Sequence, residues 1–270
     1  MITLDSHTHN SFSSDSKTPM EEMARGAIHR GLNGICITDH MDYDFPACYQ
    51  LRFQFDDVAH EEEVRKLQEN YRDRLDIRYG VEVGLKAKKC VKDDIRNLVN
   101  RHSFDYVIGS IHVVKEMDPY YKEFWDTFSS EKEAIVYYYK ETLAAIQYIS
   151  DYDALGHLDY VIRYLPSKSP VNPEDYKEWI MPILKHLLAE DKAMEINTSG
   201  FKRGLQMPNP DMKILNWYRE LGGSKVTIGS DAHSPEYLGD GFDLLEEMLK
   251  KNGLHQYTLY KERKPIQINF

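Results

Sequence analysis

Short β-branched and apolar runs alternate along this chain with longer amphipathic stretches. The runs read ITLDSH, GICITDH, DIRYGVEV, FDYVIGSIH, YDALGH, AMEINTS and KVTIGSDAH. Strand-length runs separated by segments long enough for helices predict repeated βα units. Several of those segments carry helix-start signals. Thr18, Pro19 and Glu21 read as a capping box with proline at the first helical position, and Gly31 closes the helix they open. Ser130 with Glu133 repeats the device, and Asn209 with Pro210 predicts a third start that runs to Gly222 and Gly223. Tyrosines and tryptophans on these helices are expected to pack against the strands. Residues 41–55 have no clean period and read as a long loop.

Length and composition narrow the fold class. A chain of 270 residues is ordinary for one α/β barrel, and no linker rich in Pro, Gly or Ser divides it, so residues 1–270 are expected to form a single domain. With 41% apolar and 29% charged residues, the composition is that of a folded globular protein. No run approaches the length of a membrane span. The start, MITLDSHTHN, lacks the basic and apolar segments of a signal peptide, so a cytoplasmic location is expected. Cys36, Cys48 and Cys90 are too scattered for a disulfide framework and are expected to be reduced, mostly packing residues. A formal net charge of −10 argues against a nucleic-acid partner. It leaves room for a small anionic substrate, because buried divalent cations would reverse the local sign.

Candidate chemistry appears where the apolar runs end. His7 and His9 close the first, His40 the second, Glu82 the third, His112 the fourth, His157 the fifth, and Asp231 with His233 the seventh; Asp15 lies in the loop after the first. In a parallel barrel the strand C-termini share one rim, where active sites are built. Side chains two apart on an extended backbone point the same way, so His7 with His9, and Asp231 with His233, could each converge. A lone histidine at a strand end is more often a hydrogen-bonded core or cap residue than a ligand. The joint placement of six of the eleven histidines with three carboxylates is what favours a metal site. The remaining five, His29, His60, His102, His186 and His255, are expected to be surface or capping residues. Imidazole and carboxylate without thiolate suit Zn, Mn, Fe or Co. A single zinc takes only about three or four protein ligands, so nine candidates imply more than one ion.

In order and spacing, DSHTHNSFSSD, ITDH, GVEVG, GSIH, LGHLD and GSDAHSPEYLG resemble the polymerase-and-histidinol-phosphatase (PHP) family of metallophosphoesterases, most of all its stand-alone histidinol-phosphatase branch. The resemblance spans nearly the whole chain. It implies an α/β fold, a distorted seven-stranded (β/α)7 barrel of the TIM-barrel type, and a trinuclear centre of divalent metal ions (Zn, Mn or Fe). Carried over by position, it implies His7, His9, Glu82 and Asp231 around one ion, Glu82, His112 and His157 around a second, and Asp15, His40 and His233 around a third. It also implies the hydrolysis of L-histidinol phosphate to L-histidinol and phosphate, a step of histidine biosynthesis.

Three divalent ions less the charges of Asp15, Glu82 and Asp231 leave about three positive charges, a field suited to a small phosphate monoester dianion. Attack by a hydroxide bridging the first two metals is expected. Asp42 and Asp231 are the candidate catalytic residues. Asp42 is the candidate acid for the leaving alkoxide, or else a helix cap or a partner to a metal ligand. Arg163 and Arg203 would hold phosphoryl oxygens, or else are solvated loop charges; Asn197 and Ser199 would orient substrate. Asp42, Asp44, Phe45, Tyr49 and Phe53 offer acidic and aromatic groups to an imidazole and an ammonium, or else form an unselective lid.

Three other readings compete. One is another phosphoesterase of the same family, such as a nucleotidase or phosphotyrosine phosphatase. A second is a non-catalytic scaffold module of that family, which the complete ligand set opposes. A third is an amidohydrolase-like C–N hydrolase, which would use one or two metals and a strand-end Lys that this chain lacks. Nothing in the pattern specifies an oligomeric state.

Overall fold

A computed structural model describes all 270 residues. The seven runs form β1 (Leu4–Thr8), β2 (Gly34–Ile37), β4 (Asp76–Gly84), β5 (Tyr106–Ser110), β6 (Ala154–Leu155), β7 (Ala193–Asn197) and β8 (Val226–Gly229), with a two-residue extension, β3 (His40–Met41), after β2. All neighbours pair in parallel in the order β1-β2-β4-β5-β6-β7-β8, and β3 lies along β4 with His40 opposite Glu82. Helices α1 (Met20–His29), α2 (Asp57–Tyr71), α3 (Lys89–Arg101), α4 (Lys122–Asp126), α5 (Glu131–Tyr148), α6 (Lys177–Ala189), α7 (Ser199–Lys202) and α8 (Met212–Glu220) occupy the crossovers, and α9 (Phe242–Lys251) follows β8. The result is a nearly closed, distorted (β/α)7 barrel.

The longer helices bury one stripe at helical spacing, as in Val91, Ile95 and Leu98 on α3 and Phe242, Leu245 and Leu249 on α9. Tyr138, Tyr139 and Trp217 join the core, as expected of the helical aromatics. Two start signals are used differently from the expectation. Thr18 donates its hydroxyl to the His233 carbonyl, and α1 begins after Pro19 without a side-chain cap. Asn209 is buried against Asp159 and Arg163, and Asp211 caps α8 instead. Ser130 caps α5 as read, while Glu133 reaches back to Ser129. Of the cysteines only Cys36 packs; Cys48 and Cys90 are exposed. No helix is long and apolar enough to cross a membrane.

The first and last barrel strands meet at the C-terminal rim. The Asp231 amide donates to the His7 carbonyl at 2.9 Å and the His9 amide to the Ala232 carbonyl at 2.8 Å. Below them the buried Asp5 carboxylate accepts from Ser230 N and Oγ and from Gly239 N. This seam is what brings residues 7 and 231 together. The opposite mouth is plugged by an antiparallel hairpin, β9 (Gln256–Lys261) and β10 (Lys264–Asn269). Arg78 on β4 donates to the Tyr260 carbonyl, Tyr260 stacks on Tyr106, and Arg263 pairs with Asp153 just before β6. With that end sealed, access to the barrel is confined to the rim that carries the histidines.

Candidate metal centre

Glu82 sits at the centre of the rim cluster, on β4 with no exposure. Its Oε2 lies 3.2 Å from His7 Nε2, 3.5 Å from His9 Nε2 and 2.9 Å from His40 Nδ1. Its Oε1 lies 2.9 Å from His157 Nε2 and 3.2 Å from His112 Nε2. Asp231 Oδ1 faces the first pair, 3.4 Å from His9 Nε2 and 3.9 Å from His7 Nε2. On the outer side Asp15 Oδ2 lies 3.1 Å from His233 Nε2 and 3.6 Å from His40 Nε2. His9 stacks between His40 and His233, with ring centroids 4.2 and 4.3 Å away. All nine sequence candidates for metal ligation therefore converge.

The far nitrogens of four rings are held by acceptors that fix the tautomer. His7 Nδ1 donates to Glu195 Oε1 at 2.5 Å, His112 Nδ1 to Asp42 Oδ2 at 2.7 Å, and His233 Nδ1 to the Asp231 carbonyl at 2.9 Å. His9 Nδ1 donates to Ser13 Oγ at 3.1 Å, because the Ser13 hydrogen is already given to Asp39. In each ring Nε2 is left with its lone pair toward the cluster, the arrangement that second hydrogen bonds impose on metal-binding histidines.

The donor set fits divalent cations on this structure's own evidence. His40 Nδ1 and Glu82 Oε2 are 2.9 Å apart and buried, yet neither makes a hydrogen bond. His7 and His9 bring two ring nitrogens to 3.0 Å inside a wall that excludes water. Buried polar atoms left in this state are costly unless a shared cation satisfies them. The titration behaviour agrees. Burial opposes charge on His7, but Glu195, Glu82 and Asp231 outweigh it and raise its pKa well above the ordinary value. Burial likewise opposes charge on His40 and His112, and Glu82 with Asp15 or Asp42 overcomes it. Burial and the neighbouring His40 and His233 push His9 down to about 4. Glu82 and Asp231 are held well below the carboxylate range by the surrounding imidazoles, against the effect of burial.

Backbone geometry makes room for the cluster. Asp231 adopts φ 58°, the left-handed region uncommon outside glycine, which aims its carboxylate inward. A Cβ on Gly229 would collide with His7 Cβ, and one on Gly84 would sit 2.6 Å from the Asp42 carboxylate carbon. Both glycines are therefore required by close approach.

Above the cluster lies a cavity of about 370 Å³ lined by Asp42, Arg163, Ser199, Arg203 and Asp231 among others. Arg163 donates Nε to Asn209 at 2.8 Å and Nη1 to Asp231 Oδ2 at 2.9 Å; its Nη2 is buried without a partner. Arg203 lies over the Tyr164 ring and has no carboxylate partner. Asn197 departs from the expected contact with substrate: it is fully buried behind Asp231, donating to Asp231 and Glu195 and accepting from Ser199. Asp44 is likewise occupied, by Lys86 and Lys88.

Sequence reasoning missed Glu195 and His60. Glu195 is a lone carboxylate within the apolar run AMEIN, a position that period-two alternation sends into the barrel with Asn197. His60, expected to be a surface or capping residue, has no exposure and donates Nε2 to Asp39 at 2.9 Å. Its spacing with Val64, Leu67 and Tyr71 marks the buried stripe of α2. His102 is also buried, clamped between Asp57 and Glu61.

Comparison with known proteins agrees with this geometry. Residues 5–199 match the PHP domain. The chain is 33% identical to a probable histidinol-phosphatase of Clostridium acetobutylicum, over 89% of this chain and 90% of the relative. It is 29% identical to the histidinol-phosphatase of Lactococcus lactis, over 98% and 96% respectively. The crystal structure of histidinol phosphate phosphatase from Lactococcus lactis, complexed with zinc, L-histidinol and phosphate, superposes with a TM-score of 0.88 over 98% of this chain and 99% of that one, at 29% identity.

Proposed function

The chain belongs to the PHP domain family and is a phosphomonoesterase, and we propose that its substrate is L-histidinol phosphate, cleaved to L-histidinol and phosphate over a centre of three divalent ions. The observation that carries this reading is the convergence of nine candidate ligands, with Glu82 at their centre, beneath a cavity sized for a small ester. The complex of the Lactococcus lactis enzyme with zinc, L-histidinol and phosphate supports the choice of metal and substrate. A net charge of −10 supports a small monoester over nucleic acid or an anionic membrane. Exposed unpaired Cys48 and Cys90 support a cytoplasmic setting, and one continuous core of 62 residues supports a single domain.

In this reading His7, His9, Glu82 and Asp231 hold one ion, Glu82, His112 and His157 a second, and Asp15, His40 and His233 a third. Bound divalent ions would lower the pKa of a coordinated water and neutralise phosphoryl oxygens. The chain's own groups do the rest. Glu195, Ser13, Asp42 and the Asp231 carbonyl keep the imidazole nitrogens aimed at the centre. Arg163 offers its free Nη2 to a phosphoryl oxygen, and the exposed Arg203 guanidinium closes on the same group from the rim. Asp42, with Oδ1 buried and unengaged, serves the proton of the leaving oxygen.

The test is a substrate panel of histidinol phosphate, nucleoside monophosphates and phosphotyrosine on zinc-, manganese- and iron-loaded protein. Histidinol phosphate is expected to lead in kcat/KM by orders of magnitude. Leadership by a nucleotide or by phosphotyrosine would replace the substrate while keeping the phosphomonoesterase.

A further inference from the structure

Four carboxylates line the cavity, and three are already engaged. Asp15 faces His40 and His233, Asp42 accepts from His112, and Asp231 is held by Arg163. The fourth, Asp118, has only 7% of its surface exposed and no cationic side chain within ion-pair reach. Its Oδ1 accepts from the Tyr120 amide at 2.8 Å and from the Tyr160 hydroxyl at 3.2 Å; Oδ2 has no donor in the protein. Its surroundings are aromatic. The Tyr49 hydroxyl accepts from the Asp118 amide, Tyr49 stacks on Tyr121 with centroids 3.9 Å apart, and Tyr120 packs edge-on against Tyr121. Tyr160 is the link to the metal centre, because its ring lies 5.1 Å from His157 and 5.4 Å from His112.

A carboxylate buried among phenol rings without an ion-pair partner is an unfavourable arrangement, and burial pushes its carboxyl up to about 6. It becomes favourable when a cation enters, since the charge pair and the aromatic faces then act on the same group. The acidic lid residue expected from sequence to do this, Asp44, is spent on Lys86 and Lys88.

We infer that Asp118 is the specificity residue of the cavity, pairing with an ammonium or imidazolium on the organic end of a phosphate monoester whose phosphoryl group rests on the cluster. The inference rests on the phosphomonoesterase reading and deepens it: the enzyme selects cationic esters, and does so through one side chain one phenol ring away from the metal centre.

The experiment compares wild type, D118N and D118E on histidinol phosphate and phosphoethanolamine, which carry a cation, and on glycerol 3-phosphate, which does not. In D118N the ratio of kcat/KM for the cationic over the neutral ester is expected to fall about 10- to 100-fold, chiefly through KM, the scale of one charge-assisted hydrogen bond. D118E, which keeps the charge, is expected to recover part of the ratio. An unchanged ratio in D118N overturns the inference. Should D118N fail to fold, the wild type decides alone: a cationic preference above about tenfold supports the inference, and a ratio near one for both cationic esters overturns it. Wild-type preference for phosphoethanolamine with no turnover of histidinol phosphate would keep Asp118 and remove the histidinol reading, so the two failures are distinguishable.

Discussion

Glu195 Oε1 lies 2.5 Å from His7 Nδ1, and neither residue is meaningfully exposed. The carboxylate accepts from Nδ1, so that the neutral ring presents its Nε2 lone pair to the space beside Glu82 and Asp231, which a metal ion can occupy in place of the proton. It also accepts from the His157 amide at 2.8 Å, tying two sides of the cluster together. Losing such a partner weakens metal affinity by about 10- to 100-fold. E195Q is therefore expected to lower zinc affinity by that factor in a chelator-competition titration, while saturating zinc restores most of the turnover. Unchanged zinc affinity would detach Glu195 from the centre.

The cluster also sets how the chelated protein responds to pH. His7, His40 and His112 have raised folded pKa values, so their stabilisation is full below the ordinary histidine value of about 6.5 and is lost as pH rises through the raised values. His9 runs the other way. Held at about 4, it is neutral in the fold while the unfolded chain takes up a proton, so stability falls as pH drops from about 6.5 toward that value. Glu82 and Asp231, with depressed values, add a further loss on stronger acidification. Thermal melts in chelator are expected to peak near pH ~6.5 and decline on both sides. With saturating zinc the alkaline decline should vanish, because cations take the place of the displaced protons. A chelated protein whose Tm keeps rising from neutrality to pH ~9 would contradict this.

Arg163 is expected to matter more than Arg203. Its guanidinium is buried beside the cavity, is oriented by Asn209 and Asp231, and keeps one nitrogen without a partner. Arg203 is exposed and stacked only on Tyr164. A hydrogen bond to a charged group contributes about 1.5–3 kcal/mol. R163M should therefore lower kcat/KM by about 10- to 150-fold and weaken inhibition by inorganic phosphate in parallel, with R203M well below that loss. Equal effects would mean that burial does not rank the two arginines.

Asp42 lines the cavity and holds His112 through Oδ2, while its Oδ1 is buried without a hydrogen-bond partner. If that carboxyl serves the leaving oxygen, D42N should lose activity mainly on alkyl phosphates, by about 10²- to 10⁴-fold, and much less on p-nitrophenyl phosphate, whose leaving group needs no proton. A uniform loss on both esters, together with lost metal, would restrict Asp42 to orienting His112.

Much of this architecture was legible because apolar runs and their end residues share one physical cause. A parallel barrel buries its strands on both sides and opens only at the rim, so polar side chains that follow an apolar run gather there. His7, His9, Glu82 and Asp231 were found that way. Glu195 and His60 were passed over because each lies inside an element, and a single polar residue in an apolar stripe gives no local sign of its partner. Thr18 and Asn209 misled because capping signals are local, whereas both side chains are claimed by distant partners: the His233 carbonyl for one, Asp159 and Arg163 for the other. The terminal hairpin follows the last βα unit and answers a demand that periodicity does not express, the sealing of the barrel's far mouth.

Anomalous diffraction at the zinc edge, on crystals grown with excess zinc, is the most direct measurement. Three peaks are expected around Glu82, at ordinary zinc distances of about 2.0–2.2 Å: one beside His7, His9 and Asp231, one beside His112 and His157, and one beside Asp15, His40 and His233. Zinc-loaded crystals with no anomalous density among these nine side chains would contradict the metal centre and, with it, the chemistry assigned to this rim.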